Sequence, residues 1–288
     1  MERSVIKEMQ RKGRHKLGAC PVIKPLCISA STLCNSVSQP HIYTFQIFLY
    51  FGPDKLTAMQ QLPSSILVIP QFLSAAALAE MDALLPQITF EDGKNTATGA
   101  AREVKNNRQA VRTPNPAHQR AQEIVFHTLA QHPLVQMAFM PKAILPSTIS
   151  KYSNGMTYGW HTDSPIMSNG QTIRVDLSCT VFLSDPESYT GGELVIHTAT
   201  GFVPFKGNKG DAVIYPTTRL HCVNPVTAGE RTAAVTWLQS FIKETEQREL
   251  IFQLKSVQES VAQRDPQSTE NLLLLQIYSN MVRMWAEV

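Results

Sequence analysis

Three things are scarce in this sequence, and each scarcity narrows its class. Cysteine occurs five times in 288 residues, with no C-x-x-C spacing. Such a count excludes a disulfide framework and suits a reducing, cytoplasmic setting. Long apolar runs are missing too. The stretch Y-T-F-Q-I-F-L-Y-F at 43–51 falls well short of the roughly 20 residues that a bilayer-spanning helix needs, so no membrane association is expected. Charge is thin: 17% of residues carry one, and the net value is +3. Residues 1–58 hold eight Lys/Arg against three Asp/Glu, leaving 18 against 20 for the remainder. The larger part of the chain is therefore not basic, and no nucleic-acid partner is expected.

What is present is an ordinary globular composition, 43% apolar, long enough to bury a substantial core. Residues 1–58 read as a poorly ordered extension, dispensable for activity. They are basic at the start, rich in Ser and Cys in the middle (Cys20, Cys27, Cys34), and end just before Met59, which could itself be the true start. A targeting peptide is the weaker reading.

Residues 59–145 read as a helical support region. A short strand from Ile66 leads to a helix capped by Ser74, with Leu78, Met81 and Leu85 on one face. Gly93 to Ala101 reads as a surface loop, followed by V-K-N-N at 104–107. Asn115-Pro116 is an N-cap followed by a first-turn proline, opening a helix to about Gln131, around which His118, His127 and His132 read as surface histidines. From Ser147 the pattern changes to alternation and β-branched residues. Strands are expected at 147–152, 156–160, 174–184, 192–197, 202–205, 211–215, 219–223 and 231–241. Eight short strands of this kind suggest a double-sheet jelly roll, a double-stranded β-helix, spanning residues 146–242. The fold class expected is α+β. Residues 243–288 read as a C-terminal helical extension with two apolar stripes: Leu250, Leu254, Val257 and Val261, then Leu274, Ile277, Tyr278, Met281 and Trp285. Such stripes serve core packing or a subunit contact, and a homodimer is one use for them.

The chemistry is concentrated in K-Y-S-N-G-M-T-Y-G-W-H-T-D at 151–163. On an extended strand His161 and Asp163 point to one face. Two imidazoles and a carboxylate make the facial triad that binds Fe(II) and leaves the opposite positions open, and His221 in T-T-R-L-H-C-V is the candidate third ligand. Arg231, ten residues further on, offers a rigid fork for a carboxylate. Cys222 adjoins His221 but faces the other side of a strand and reads as packing. Tyr158, Trp160 and Trp237 read as barrel core, with Tyr158 close enough to His161 to line a pocket. Arg174 is open between a cleft cation and an edge-strand residue. A zinc hydrolase on the same three ligands would leave Arg231 without a role.

From about Leu67 onward the chain resembles the PKHD-type hydroxylases, a bacterial branch of the prolyl-4-hydroxylase-like Fe(II)/2-oxoglutarate dioxygenases. The pieces that carry the resemblance are V-K-N-N, the 151–163 segment, L-S-C-T-V-F-L-S-D-P at 177–186 and Y-T-G-G-E-L-V-I at 189–196. Further on come K-G-D-A-V-I-Y-P at 209–216, L-H-C-V-N-P-V at 220–226 and R-T-A-A-V-T-W-L-Q-S at 231–240. The resemblance implies hydroxylation of a substrate C–H bond with release of succinate and CO2. It also implies 2-oxoglutarate as cosubstrate, with its distal carboxylate on Arg231 and the Tyr152 phenol, and L-ascorbate as an accessory reductant. Retention of Asp163 argues for hydroxylation over halogenation. Asn106 and Tyr158 are candidate substrate contacts, and the substrate is a small molecule or a peptide that the residues do not identify. The alternative from another class is a non-catalytic jelly roll that senses iron or 2-oxoglutarate.

Overall fold

The structure, a computed structural model, describes residues 65–169 and 171–288. The expectations for residues 1–58 and for Met59 lie outside them. Eight strands build the barrel: β1 (Thr148–Tyr152), β2 (Thr157–His161), β3 (Leu177–Phe182), β4 (Leu194–Thr198), β5 (Gly201–Phe205), β6 (Ala212–Pro216), β7 (His221–Val223) and β8 (Arg231–Ser240). In one antiparallel sheet the order is β6-β3-β8-β1, and in the other β5-β4-β7-β2. Strands from the first and second halves of the domain thus alternate within each sheet, which is the double-stranded β-helix.

Alternation along the strands decides what lies on each side of the larger sheet. In L-S-C-T-V-F, Leu177, Cys179 and Val181 join the main apolar core, whereas Ser178 and Thr180 line the barrel cavity and Phe182 packs in a second cluster within the barrel. β1 follows the same rule, with Ile149 in the core and Thr148, Ser150 and Tyr152 on the cavity wall. The core face is covered by α1 (Ala75–Leu84) and α2 (Pro116–Gln131), which contribute Met81, Ala121, Ile124, Val125 and Leu129. Ser74 caps α1 by accepting from Ala77 N at 3.2 Å, and Asn115 caps α2 by accepting from His118 N at 2.9 Å, as the sequence indicated.

Several expectations change. Gly93 to Ala101 is not an open loop but a 3-10 turn (Gly93–Thr96) followed by the short helix Gly99–Glu103. Three very short strands, Phe90–Asp92, Lys105–Asn106 and Arg108–Ala110, extend the two sheets. The expected strand 174–184 is interrupted because Asp176 turns inward to accept from Ser240 N at 2.9 Å, and Ile166–Asn169 pairs with Gln171–Arg174 as a separate two-stranded sheet. Arg174 is no cleft cation. It is clamped on Asp176 at 2.7 and 3.0 Å and pairs with Glu287, fastening this two-stranded sheet to the segment after the last helix. His118 is buried, contrary to the surface reading, because α2 turns it toward the barrel.

The C-terminal helices α3 (Thr245–Arg264) and α4 (Thr269–Trp285) pack on each other. Their stripes split: Ile251 and Phe252 are the buried apolar residues of α3, while Leu250, Val257, Ile277 and Met284 are exposed. Among the described residues, no helix is long and apolar enough to cross a membrane.

Candidate metal centre

Two cross-strand pairs organise one end of the barrel. On the smaller sheet His161 stands opposite His221, and on the larger sheet Tyr152 stands opposite Arg231. β2 stops at His161, so Asp163 lies two residues beyond the strand, yet its carboxylate still converges on the histidines. Donor atoms of His161, Asp163 and His221 all lie within 4.8 Å of one another, and His221 Nε2 is 3.8 Å from Asp163 Oδ2. Each imidazole is oriented by its own backbone: His161 Nδ1 is 2.8 Å from the Gly159 carbonyl and His221 Nδ1 is 3.0 Å from that of Arg219. Those contacts use the Nδ1–H and turn Nε2 as a lone pair toward the common point. Burial, with His221 alongside, pushes the His161 pKa down to about 3, so the ring is a neutral ligand at physiological pH.

The residues fit a cation here. Asp163 Oδ2 is buried without a hydrogen-bond partner, a costly state for a carboxylate oxygen unless something positive meets it. They fit an anion beside it. Arg231 is only 2% exposed, has no carboxylate partner among the described residues, and its Nε is unsatisfied. Its guanidinium carbon lies 5.2 Å from the Tyr152 ring and 5.8 Å from that of Phe182, so aromatic faces hold it without neutralising it. Gly192 permits this placement, since a Cβ there would lie 3.1 Å from Arg231 Cδ. The Tyr152 phenol is kept protonated, its pKa raised by burial against the opposing pull of Arg231.

Tyr158 stacks on His161 with ring centroids 3.6 Å apart and lines the same cavity, of about 600 Å³. Trp237 lines it as well, whereas Trp160, expected in the core, is 46% exposed and packs on Phe202 outside. The pairing of β2 with β7 shifts register between Tyr158 and His161, so Trp160 is exposed although it lies only two residues from Tyr158. Asn106 is not brought to the cavity. It is exposed and donates to the Gly155 carbonyl at 3.2 Å. Its neighbour Lys105 is on the cavity wall instead, and the sequence reading missed it. Strand alternation within V-K-N-N was the available signal, since facing Asn106 outward turns Lys105 inward.

Residues 147–239 match the family model described as the 2OG-Fe(II) oxygenase superfamily, and residues 246–287 match that of the PKHD-type hydroxylase C-terminal domain. A PKHD-type hydroxylase of Hyphomonas neptunium is 40% identical over 225 residues, covering 77% of this chain and 100% of its own. The chain belongs to the PKHD-type hydroxylases. A second member, tll1907 of Thermosynechococcus vestitus, is also 40% identical over 77% of this chain and all of its own length. YbiX of Escherichia coli is 39% identical over 76% of this chain and 98% of its own. Among solved structures, a prolyl hydroxylase from Trichoplax adhaerens in complex with a hypoxia inducible factor peptide fragment is 16% identical. It covers 69% of this chain and 93% of its own, with a TM-score of 0.47. As a PKHD-type hydroxylase, the protein is an Fe(II)- and 2-oxoglutarate-dependent oxygenase, and its His-Asp-His cluster is a set of side chains that can hold the iron.

Proposed function

We propose that His161, Asp163 and His221 are the iron ligands of this oxygenase and that Arg231 and Tyr152 hold the distal carboxylate of 2-oxoglutarate. The observation that carries the reading is the pairing of two buried, unpartnered polar atoms of opposite charge, Asp163 Oδ2 and Arg231 Nε, on the wall of one cavity. Bound Fe(II) supplies the site for chelating 2-oxoglutarate and activating dioxygen for C–H hydroxylation. The chain's own residues supply position. The Gly159 and Arg219 carbonyls fix which imidazole nitrogen faces the metal. Arg231 offers a charge-assisted, bidentate grip that sets the depth of the cosubstrate. Tyr158 covers one face of His161 and borders the space where a substrate, small molecule or peptide, would meet the metal.

The division into a support region (59–145), a catalytic jelly roll (146–242) and a helical extension (243–288) belongs to the same proposal. The exposed apolar side chains of α3 and α4 support a homodimer, the free Cys179 and Cys222 support a reducing, cytoplasmic setting, and the balance of 18 Lys/Arg against 20 Asp/Glu after residue 58 supports a substrate other than nucleic acid. L-ascorbate as reductant rests on the family resemblance. Oxygen uptake by the iron-loaded protein tests the reading. Uptake should rise on adding 2-oxoglutarate, with succinate formed, and vanish in Asp163→Ala. Uptake indifferent to 2-oxoglutarate would overturn it and favour a sensing role.

A further inference from the structure

Lys105 has no part in the site described so far, yet it is built into the same cavity. It pairs with Tyr158 across the strand ladder, is 5% exposed, and places Nζ 5.0 Å from the centroid of the Tyr158 ring that covers His161. Nζ donates to Thr96 Oγ1 at 2.8 Å and Gln109 Oε1 at 3.1 Å. Those two acceptors are themselves joined, and Gln109 is anchored by donating to Ser150 Oγ at 3.1 Å. Two of the three ammonium N–H bonds are thereby fixed, and the third has no acceptor among the described residues. Among the described residues no carboxylate lies within ion-pair distance of Lys105, although those of Asp163 and Asp92 are near enough to favour its charge. A second cation, Arg112, lies on the same wall, near enough to disfavour the lysine charge further, and it too has no ion pair among the described residues. Burial pushes the Lys105 pKa down to about 8, which leaves it protonated at neutral pH.

A buried, oriented ammonium with one open N–H is a costly thing to keep unless an anion completes it. The cavity also holds the hydroxyl Ser147 Oγ, on a side chain 2% exposed and without a hydrogen-bond partner among the described residues. We infer that Lys105, with Arg112 at the rim, forms a subsite for a carboxylate of the primary substrate, a small polar acid or the carboxyl end of a short peptide. This deepens the reading above and rests on it, because Arg231 must already account for the cosubstrate. The chemistry selects carboxylate over phosphate. One open ammonium N–H and one guanidinium at the rim match the two oxygens and delocalised charge of a carboxylate, while a phosphate has more oxygens than this pair of cations faces.

The test uses the full chain with Zn(II) in place of iron, saturating 2-oxoglutarate and isotopically labelled lysine. The Lys105 side-chain resonance is assigned by its loss in Lys105→Met. Acetate should shift that resonance saturably, acetamide should not, and Arg112→Ala should weaken acetate about fivefold, the scale of one partly exposed charge. Absence of an acetate shift, an equal response to acetamide, or saturation by inorganic phosphate at lower concentration than acetate overturns the subsite. So does a resonance already moved by 2-oxoglutarate and then indifferent to acetate, since Lys105 would then serve the cosubstrate. A charge-transfer band of the Fe(II)·2-oxoglutarate complex, recorded separately, tells the failures apart. If the band forms and acetate does nothing, only the subsite falls; if no band forms, the cosubstrate reading falls with it.

Discussion

Arg231 brings a positive charge into the barrel beside the rings of Tyr152 and Phe182 and the Tyr189 side chain, with no carboxylate partner among the described residues, and that imbalance makes it the most informative single residue in the molecule. Replacing it by alanine removes a charge-assisted grip worth about 2 kcal/mol, so the 2-oxoglutarate concentration for half saturation should rise roughly 30-fold. Iron affinity measured without cosubstrate should barely change. Lys105 makes a different prediction. Its pKa is about 8 in the folded chain against 10.5 for an ordinary lysine, so between those values the unfolded chain binds more protons. Stability should therefore rise as pH climbs from about 8 to 10.5, by about 3 kcal/mol at most, and Lys105→Met should flatten that rise in a urea titration. At this scale the sequence was readable where a residue type has few other uses. An H-x-D with a distant His and Arg is such a case, in that the structure brings the His-Asp-His side chains together and lines the same cavity with the Arg. It was not readable where orientation decides: Asn106 and Lys105 are adjacent and polar, and only the strand pairing of 105–106 with β2 says which one faces the cavity. His118 and Trp160 went the other way from expectation for the same reason, since side-chain type does not say which face an element presents.

The elements convert sequence distance into contact through register. β2 and β7 bring His161 opposite His221, and β1 and β8 bring Tyr152 opposite Arg231, from residues 60 to 79 positions apart in the chain. Gly192 packs against Arg231 at φ +69, where a Cβ would meet Val226 Cγ2 at 2.9 Å as well as Arg231 Cδ. Gly192→Ala should raise the 2-oxoglutarate requirement several-fold while leaving the metal centre intact, which a cosubstrate titration beside a metal titration would separate. The barrel strands were legible because alternation and β-branching persist over five or more residues. The two- and three-residue strands at 90–110 were not, because so short a segment has no period of its own and pairs only because a longer strand offers an edge. The helix starts at Ser74 and Asn115 were legible because capping is local chemistry. The stripes of α3 and α4 were not, because apolar residues lie on more than one face and tertiary packing chooses among them.

At the scale of the molecule, α1 and α2 cover the larger sheet and leave its other face free to form the cavity. Leu129 lies fully buried in that cover, and Leu129→Ala should cost about 2–5 kcal/mol in thermal or urea unfolding without changing iron affinity in the folded fraction. A barrel lined by Ser150, Ser178, Thr180, Lys105 and Arg231 on one side and shielded by Leu, Ile and Val on the other keeps stability and chemistry on opposite faces of the same strands. The central claim is that one cavity holds iron on three side chains and 2-oxoglutarate on a fourth. The most direct test is anaerobic visible spectroscopy of the protein titrated with Fe(II) and 2-oxoglutarate, beside His161→Ala and Arg231→Ala. The account predicts a weak metal-to-ligand charge-transfer band in the unaltered chain, none in His161→Ala, and a band in Arg231→Ala that needs far more 2-oxoglutarate to appear. A folded, iron-loaded protein that gives no band, or an Arg231→Ala variant that saturates like the unaltered chain, would contradict it.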